Sequence, residues 1–138
     1  MANNIMKRSS CDAGESDCEG RALGHFRRQA FLRFIGAEPV RVLPGFCTLQ
    51  LRSREDLAGG PKGFHPGAMG ALAVGAGECA ALSLLPPDAT LSLLEDKLSL
   101  LAPASGETLV ANAKVIKSSE TMTVCMAEMY ACRDQSRN

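Results

Sequence analysis

The sequence predicts a single α+β domain in which an antiparallel sheet wraps around one long buried helix. The stretch Pro66–Leu85 is mostly Ala and Gly and carries one charge, Glu78. A helix with no polar face has to be buried on nearly all sides. Three apolar or alternating runs separated by turn signals follow it, which is typical of consecutive antiparallel hairpins. The length of 138 residues suits one domain with a proper core.

The N-terminal elements follow from a change in sequence pattern near residue 20. Residues 1–19 are polar and are interpreted as a disordered tail, which leaves residues 20–138 as the single domain. Arg21–Ile35 has apolar residues at helical spacing, so it predicts an N-terminal helix that Gly36 ends. Two strands joined at Pro44-Gly45 should follow, the second because apolar residues alternate from Cys47 to Leu51.

The second half of the chain begins with the glycine-rich loop Leu57–Phe64. The long helix starts at Pro66, a residue favoured in the first turn, and Pro86-Pro87 stops it. Three further strands are predicted, and the turns between them contain Ser105-Gly106 and Ser118-Ser119. Their ranges are Thr90–Leu101, Glu107–Lys117 and Thr121–Cys132.

Composition excludes some classes of function. The chain has 15 Lys and Arg against 15 Asp and Glu, so its formal net charge is zero. A polybasic nucleic-acid binder is therefore not expected. Aromatic residues make up 4% of the chain and Trp is absent. This argues against a stacking platform for single-stranded nucleic acid.

The six cysteines leave two interpretations open. Three disulfides would suit a small secreted protein. The first ten residues, however, lack the apolar core of a signal peptide, and no C-x-x-C pair suggests a zinc or redox site. Reduced cysteines in a cytoplasmic protein without a metal or cofactor are the favoured expectation.

A membrane helix is the alternative interpretation of Pro66–Leu85, since about 20 residues can span a bilayer. Ala and Gly dominate this stretch, and Glu78 would lie deep in the hydrocarbon at a cost of a few kcal/mol. No membrane association is therefore predicted.

Several short segments, taken in order, resemble hotdog-fold proteins of the thioesterase superfamily, nearest the PaaI-like phenylacetate-pathway group. The resemblance covers roughly Phe31 to Ala131, and the order and spacing of the segments carry it. The segments are Phe34-Ile35-Gly36-Ala37, Leu43-Pro44-Gly45, Arg54-Glu55-Asp56-Leu57, Gly63-Phe64-His65-Pro66-Gly67, Ala80-Ala81-Leu82-Ser83-Leu84-Leu85-Pro86 and Lys97-Leu98-Ser99-Leu100-Leu101-Ala102-Pro103.

The resemblance implies a homodimer, often paired into tetramers, with acyl-thioester sites at the dimer interface. Coenzyme A is the usual thiol carrier, and no cofactor is implied. The family usually adds another edge strand beyond the one that ends near Cys132, so either the sheet is short here or the N-terminal segment or a partner covers that edge. The residues expected to contact the substrate are Gly63, Gly67, Ala68, Val74, Lys97 and Ser99.

The expected active site departs from the family pattern. His65 matches the family histidine, but the next residue is Pro66, which has no N–H to donate to an oxyanion. Val74 stands nine residues after the histidine, where the family has its Asp or Glu. Glu78 lies one helical turn further on. A displaced site would use Glu78 and His65 as catalytic residues, with the N–H groups of Gly67 and Ala68 as oxyanion donors.

Four functions remain open on the sequence alone. The first is an acyl-CoA thioesterase with this displaced site. The second is a non-catalytic binder of acyl-CoA or a similar ligand, and the third is a structural subunit of an assembly. A dehydratase of the same fold is a weaker fourth. In the plainer alternative, Glu78 is a paired helix glutamate and His65 only caps the helix.

Overall fold

The computed structural model describes residues 15–61 and 63–133, which form a four-stranded antiparallel sheet with three helices. The strands follow one another across the sheet in chain order, β1-β2-β3-β4. The elements are α1 (Glu15–Arg28), α2 (Ala30–Ile35), β1 (Ala37–Leu43), β2 (Phe46–Arg52), a 3₁₀ turn (Glu55–Leu57), α3 (Pro66–Leu82), β3 (Thr108–Ser118) and β4 (Thr123–Cys132).

The sheet packs one face against α3. On β2 the residues Cys47, Leu49 and Leu51 are fully buried, and Leu49 is paired with Ala111 of β3. Leu109, Ala111 and Ala113 complete the buried row on β3. The alanines of β3 are small, so this strand presents little side-chain bulk to α3 and leaves room for a helix against the sheet.

The long helix α3 lacks a hydrophobic side and a polar side, as its composition predicted. Leu72 and Ala76 are fully buried, while Val74 on the opposite side is half-buried. Gly75 lets α2 approach closely, because a Cβ at this position would lie 2.6 Å from Leu32 Cδ1. The predicted α+β architecture with a sheet around a central helix is confirmed.

The single helix predicted over 21–35 is wrong in two respects. The helix is interrupted at Gln29, whose ψ of 90° is not helical, and α2 starts at the next residue. The break allows α1 and α2 to bury different residues, Ala22 and Phe26 in α1 and Leu32 in α2. Residues 15–19, predicted as part of a disordered tail, are helical. Residues 1–14 of that tail lie outside the described residues.

The predicted strand over Thr90–Leu101 is also wrong, because residues 89–101 form neither helix nor strand. A strand needs a neighbour that accepts and donates its backbone hydrogen bonds. Within the described part of the chain, β4 is an edge strand with no neighbour on its outer side. Four leucines of this extended segment are exposed, namely Leu93, Leu94, Leu100 and Leu101.

The cysteines and the helices bear on two further predictions, that the thiols are reduced and that no helix spans a membrane. Cys18, Cys47, Cys79, Cys125 and Cys132 are free thiols, and Cys11 lies outside the described residues. None of the helices in the described ranges combines the length and the apolar character that a membrane crossing requires.

Candidate functional site

His65 caps the first turn of α3 with both its side chain and its backbone. Its Nδ1 accepts a hydrogen bond from the Gly67 N–H at 2.9 Å. Its carbonyl oxygen accepts from the N–H groups of Ala68 at 2.9 Å and Met69 at 3.1 Å. Pro66 at the first helical position has no N–H. Each available N–H of this turn therefore has an acceptor already, and a thioester oxygen would have to replace one.

The preceding loop fixes the position of the helix start. The His65 N–H donates to the Leu57 carbonyl at 2.8 Å, and the Gly59 N–H donates to the Gly63 carbonyl at 3.0 Å. Gly59 allows this close return of the chain, since a Cβ there would lie 2.7 Å from the His65 Cα. The loop thus places His65 and the first turn of α3 as one rigid unit.

An open cavity of about 500 Å³ with a mainly apolar lining adjoins the helix start. It lies between the glycine-rich loop, the first turn of α3 and the extended segment before β3. Gly63, predicted to contact substrate, lines it together with Phe64, Pro66, Met69 and Leu100. The cavity is open to solvent, so a ligand bound in it needs a further surface to cover it.

Two other predicted contact residues, Lys97 and Ser99, are exposed on the extended segment. Leu98 between them is half-buried and packs over α3, since its Cδ2 lies 4.0 Å from where a Cβ of Gly70 would be. Lys97 and Ser99 therefore lie beside a half-buried strip of α3, which we define by Gly70, Val74 and Gly77.

Val74 is half-buried on this strip and offers no group that can accept a proton. It lies eight residues after Pro66, roughly 12 Å along the helix axis. The position predicted to correspond to the family's carboxylate is therefore occupied by an apolar side chain.

Glu78 lies far from His65. Twelve residues separate it from Pro66, which corresponds to about 18 Å along α3. The structure does not bring the two predicted catalytic residues together in one chain. Glu78 instead contacts His25 in α1 and Gln29, the residue that follows α1. The Glu78 Oε2 lies 2.9 Å from His25 Nε2 and 3.3 Å from Gln29 Nε2. The Glu78 and His25 side chains are 22% and 21% exposed.

His25 Nε2 also lies 2.9 Å from Gln29 Nε2, so three polar atoms form a triangle. The His25 tautomer decides the role of Nε2: with its proton on Nε2 it donates to Glu78 Oε2, and with its proton on Nδ1 it accepts from Gln29 Nε2.

Sequence reasoning missed His25 and Gln29. His25 falls within the helix predicted over Arg21–Ile35, and nothing in one sequence identifies which residue of a second helix faces Glu78. The four-residue spacing of Arg21, His25 and Gln29, which places them on one side of the helix, is the signal that was available. It marks a polar stripe that needs a polar partner.

The rest of the described chain offers no metal site, because within residues 15–61 and 63–133 no group of three or more His, Cys, Asp or Glu side chains could hold an ion. Next to Glu78 in sequence, the buried Cys79 thiol has a pKa raised above its ordinary value. The cause is first its hydrogen bond with the Cys47 thiol and then burial. This thiol is a core group rather than a nucleophile.

A scan against protein-family models and a search of curated proteins found no match. Among solved structures, a thioesterase family protein from Silicibacter pomeroyi is 31% identical, and the similarity covers 85% of this chain and 86% of that one with a TM-score of 0.82. The chain belongs to the thioesterase family. The recognition of this superfamily from short ordered segments is therefore confirmed.

Two more distant structures share the fold of this thioesterase-family chain. The E. coli PaaI protein from the phenylacetic acid degradation operon is 20% identical over 83% of this chain and 82% of its own, with a TM-score of 0.65. A thioesterase from Haemophilus influenzae is 18% identical over 78% of this chain and 75% of its own, with a TM-score of 0.70. The hotdog fold is thus confirmed.

Proposed function

We propose that this thioesterase-family protein binds an acyl thioester of the coenzyme A type, at a site that a second copy of the chain completes. The observation that carries the proposal is the apolar cavity of about 500 Å³ beside the first turn of α3. In the family this turn receives the thioester. An apolar cavity next to it suits the acyl group, because burying hydrocarbon is the main source of affinity for such a ligand.

The distribution of exposed apolar residues supports a second copy. Leu94 and Leu101 are 79% and 94% exposed on the extended segment, and Gly70, Val74 and Gly77 form a strip on α3 without charge. Single exposed leucines are ordinary, but a run of them beside an apolar helix strip is typical of an interface. A homodimer, with pairing into tetramers as a further step, would cover these residues. A cytoplasmic location is part of the same proposal.

Substrate contacts are proposed at the residues that surround the cavity and the strip. Gly63 lines the cavity, while Gly67 and Ala68 form the helix start beside it. Lys97 is the cation nearest in sequence to Leu98, which packs over the strip, so it is proposed to contact a phosphate of coenzyme A; Ser99 would add a hydroxyl.

The usual hydrolytic groups of the family are absent from their positions, since Pro66 has no N–H and Val74 has no carboxylate. His65 is proposed to hold the helix start rather than to transfer a proton, because its Nδ1 already accepts from Gly67. Binding of the thioester is accordingly the core of the proposal, and hydrolysis needs a different group.

Calorimetric titration with S-octyl-coenzyme A tests the proposal, since this thioether lacks the carbonyl and cannot be hydrolysed. The full chain should give a saturable binding isotherm. Leu100→Asp places a charge in the cavity lining and should weaken binding at least about tenfold. Val40→Asp is the control at an exposed apolar residue of β1, outside the cavity lining and the extended segment, and should bind like the parent. Equal affinity for all three proteins contradicts the proposed site.

A structural subunit of an assembly remains the second candidate, and the exposed leucines of the extended segment favour it. In that case the chain would form a stable oligomer without affinity for the thioether. Light scattering after gel filtration, combined with the titration above, separates the two functions.

A further inference from the structure

We propose that a second copy of the chain docks on an exposed surface at α2. We call this surface the aromatic–arginine patch, and its residues are Arg27, Arg28, Phe31, Arg33 and Phe34. The part of the second copy that meets it is Leu93–Asp96, which we call the leucine–acid segment. Each copy carries both surfaces, so a two-fold axis repeats the contact. The inference rests on the homodimer of the proposed function and states which surfaces form it.

The two phenylalanines of the patch point away from the rest of the protein. Their helical spacing with Ile35 predicts burial, yet Phe31 and Phe34 are 59% and 73% exposed. In their place α2 buries Ile35 and Leu32, which packs against Gly75 of α3. The two ring centroids lie 6.5 Å apart with 30° between the ring planes. The rings therefore form one continuous apolar surface, which is typical of an interaction site.

Three arginines of the patch carry positive charge without a partner. Arg27 and Arg28 end α1, and Arg33 lies between the two phenylalanines in sequence. All three are exposed, and their side chains make no hydrogen bond or ion pair within residues 15–61 and 63–133. Arg54, which donates to the Phe34 carbonyl, differs because it also pairs with Asp56. A partner that complements the patch has to bring both apolar and acidic side chains.

The leucine–acid segment offers these side chains within the same chain. Leu93 and Leu94 are 55% and 79% exposed, and the exposed acids Glu95 and Asp96 directly follow them. Neither carboxylate has a hydrogen-bond or ion-pair partner in the described part of the chain. Lys97 comes next, so two acids stand beside one cation. The leucines can cover the phenylalanine rings while the carboxylates accept from the arginines, which bind carboxylates in a bidentate manner.

Other acidic groups of the described chain complement the patch less well. Asp17 and Asp56 are each paired with an arginine close to them in sequence. The edge strand β4 exposes Met126 and Tyr130 on either side of Glu128, but this surface offers one carboxylate to three arginines. The leucine–acid segment is favoured because it joins two unpartnered carboxylates to two exposed leucines.

The size of the patch agrees with a contact that occurs twice. At about 200 Å² for each phenylalanine, the exposed parts of Phe31 and Phe34 amount to roughly 250 Å². One partner of a standard interface buries about 800 Å². A single contact is therefore small, whereas the two-fold repeat buries a patch and a leucine–acid segment on every copy and approaches this area.

An anionic lipid surface is the competing occupant of the patch, because exposed aromatic rings beside arginines also suit the interface of a bilayer. A lipid surface, however, leaves the leucine–acid segment of the chain without a role and repels its carboxylates. A second copy of the chain satisfies both surfaces at once.

The experiment measures the dissociation constant of the dimer by sedimentation equilibrium of the fluorescently labelled full chain. Arg27→Glu with Arg33→Glu reverses the charge of the patch, and Glu95→Arg with Asp96→Arg reverses that of the segment. Each reversed pair should raise the dissociation constant at least about tenfold, because like charges then face each other. The variant with all four substitutions should return to within about threefold of the parent, since the charges are complementary again.

Two further variants complete the experiment. Arg52→Glu with Lys114→Glu is the matched control, because it makes the same change in net charge at exposed residues on the sheet face away from α3. This control should dimerise like the parent. Phe34→Ala removes one exposed ring and should raise the dissociation constant at least about tenfold.

The outcomes separate this contact from the homodimer itself. If the parent dimerises and either reversed pair keeps the parental dissociation constant, or if the variant with all four substitutions dissociates as readily as the reversed pairs, the contact is overturned and the homodimer stands. A parent that stays monomeric at micromolar concentration contradicts both. Binding of the parent to phosphatidylserine vesicles that the reversed patch abolishes, with an unchanged dimer, assigns the patch to lipid and also overturns the contact. Restored dimerisation of the variant with all four substitutions supports it, because a misfolded protein would not regain affinity.

Discussion

Replacing Gly59 by alanine is predicted to disturb the helix start through the backbone. A Cβ at residue 59 would lie 2.7 Å from the His65 Cα, 3.1 Å from the His65 nitrogen and 3.1 Å from the Phe64 oxygen. All three atoms belong to the backbone, so a rotamer change cannot relieve the overlap. The loop or the first turn of α3 has to move instead.

The size of the movement follows from these distances. Ordinary contacts of a Cβ begin at 3.4 Å, so the His65 Cα has to retreat by roughly 0.7 Å. Overpacking of this kind costs about 1–3 kcal/mol of stability. The lower chain entropy of alanine in the unfolded state offsets about 0.4–1 kcal/mol of that. A net loss of about 1–2 kcal/mol is expected, together with weaker binding at the adjoining cavity.

Urea unfolding and titration with S-octyl-coenzyme A measure the two effects. Gly20→Ala is the matched control, because it makes the same chemical change in α1 at a position with no atom within 4 Å. This control should be as stable as the parent or up to about 1 kcal/mol more stable, with unchanged affinity. If Gly59→Ala keeps both the stability and the affinity of the parent, the argument that this loop positions His65 is refuted.

Three further predictions concern the core, the family position and the thiols. Leu72→Ala should lower the free energy of unfolding by about 2–5 kcal/mol in urea titrations, because the side chain is fully buried between helix and sheet. Val74→Asp alone should add little hydrolysis, whereas Val74→Asp with Pro66→Gly should raise kcat by about 100-fold or more, since it restores both the carboxylate and the N–H. If the variant with both substitutions is no faster than Val74→Asp alone, this prediction is contradicted. Burial raises the pKa of the Cys125 thiol above 9.0, so its contribution to stability should be complete below pH 9 and decline at higher pH. Iodoacetamide at pH 8 should alkylate the exposed Cys132 before Cys125. Equal alkylation rates, or stability that rises above pH 9, would contradict this.

The sequence was sufficient for elements whose pattern is set by local chemistry. The Ala- and Gly-rich helix and the alternating strands that became β2, β3 and β4 were predicted because burial on one or both sides fixes their composition. The helix start was placed correctly because Pro66 and the preceding loop are strong local signals.

The failures share a different cause, which is dependence on a distant partner. The segment over residues 89–101 is rich in leucine, as many strands are, yet no neighbouring strand in the described chain pairs with it. Gln29 breaks a helix that its neighbours would continue, because α1 and α2 bury different faces. Likewise His25 could be recognised as part of the candidate site only after α1 was packed on α3.

A crystal structure of the full chain with S-octyl-coenzyme A tests the central claim most directly. The account predicts the octyl chain in the cavity lined by Gly63, Phe64 and Leu100 at the start of α3, with a second copy of the chain closing the site. A ligand bound elsewhere, or a cavity that stays empty at saturating ligand, would contradict the account.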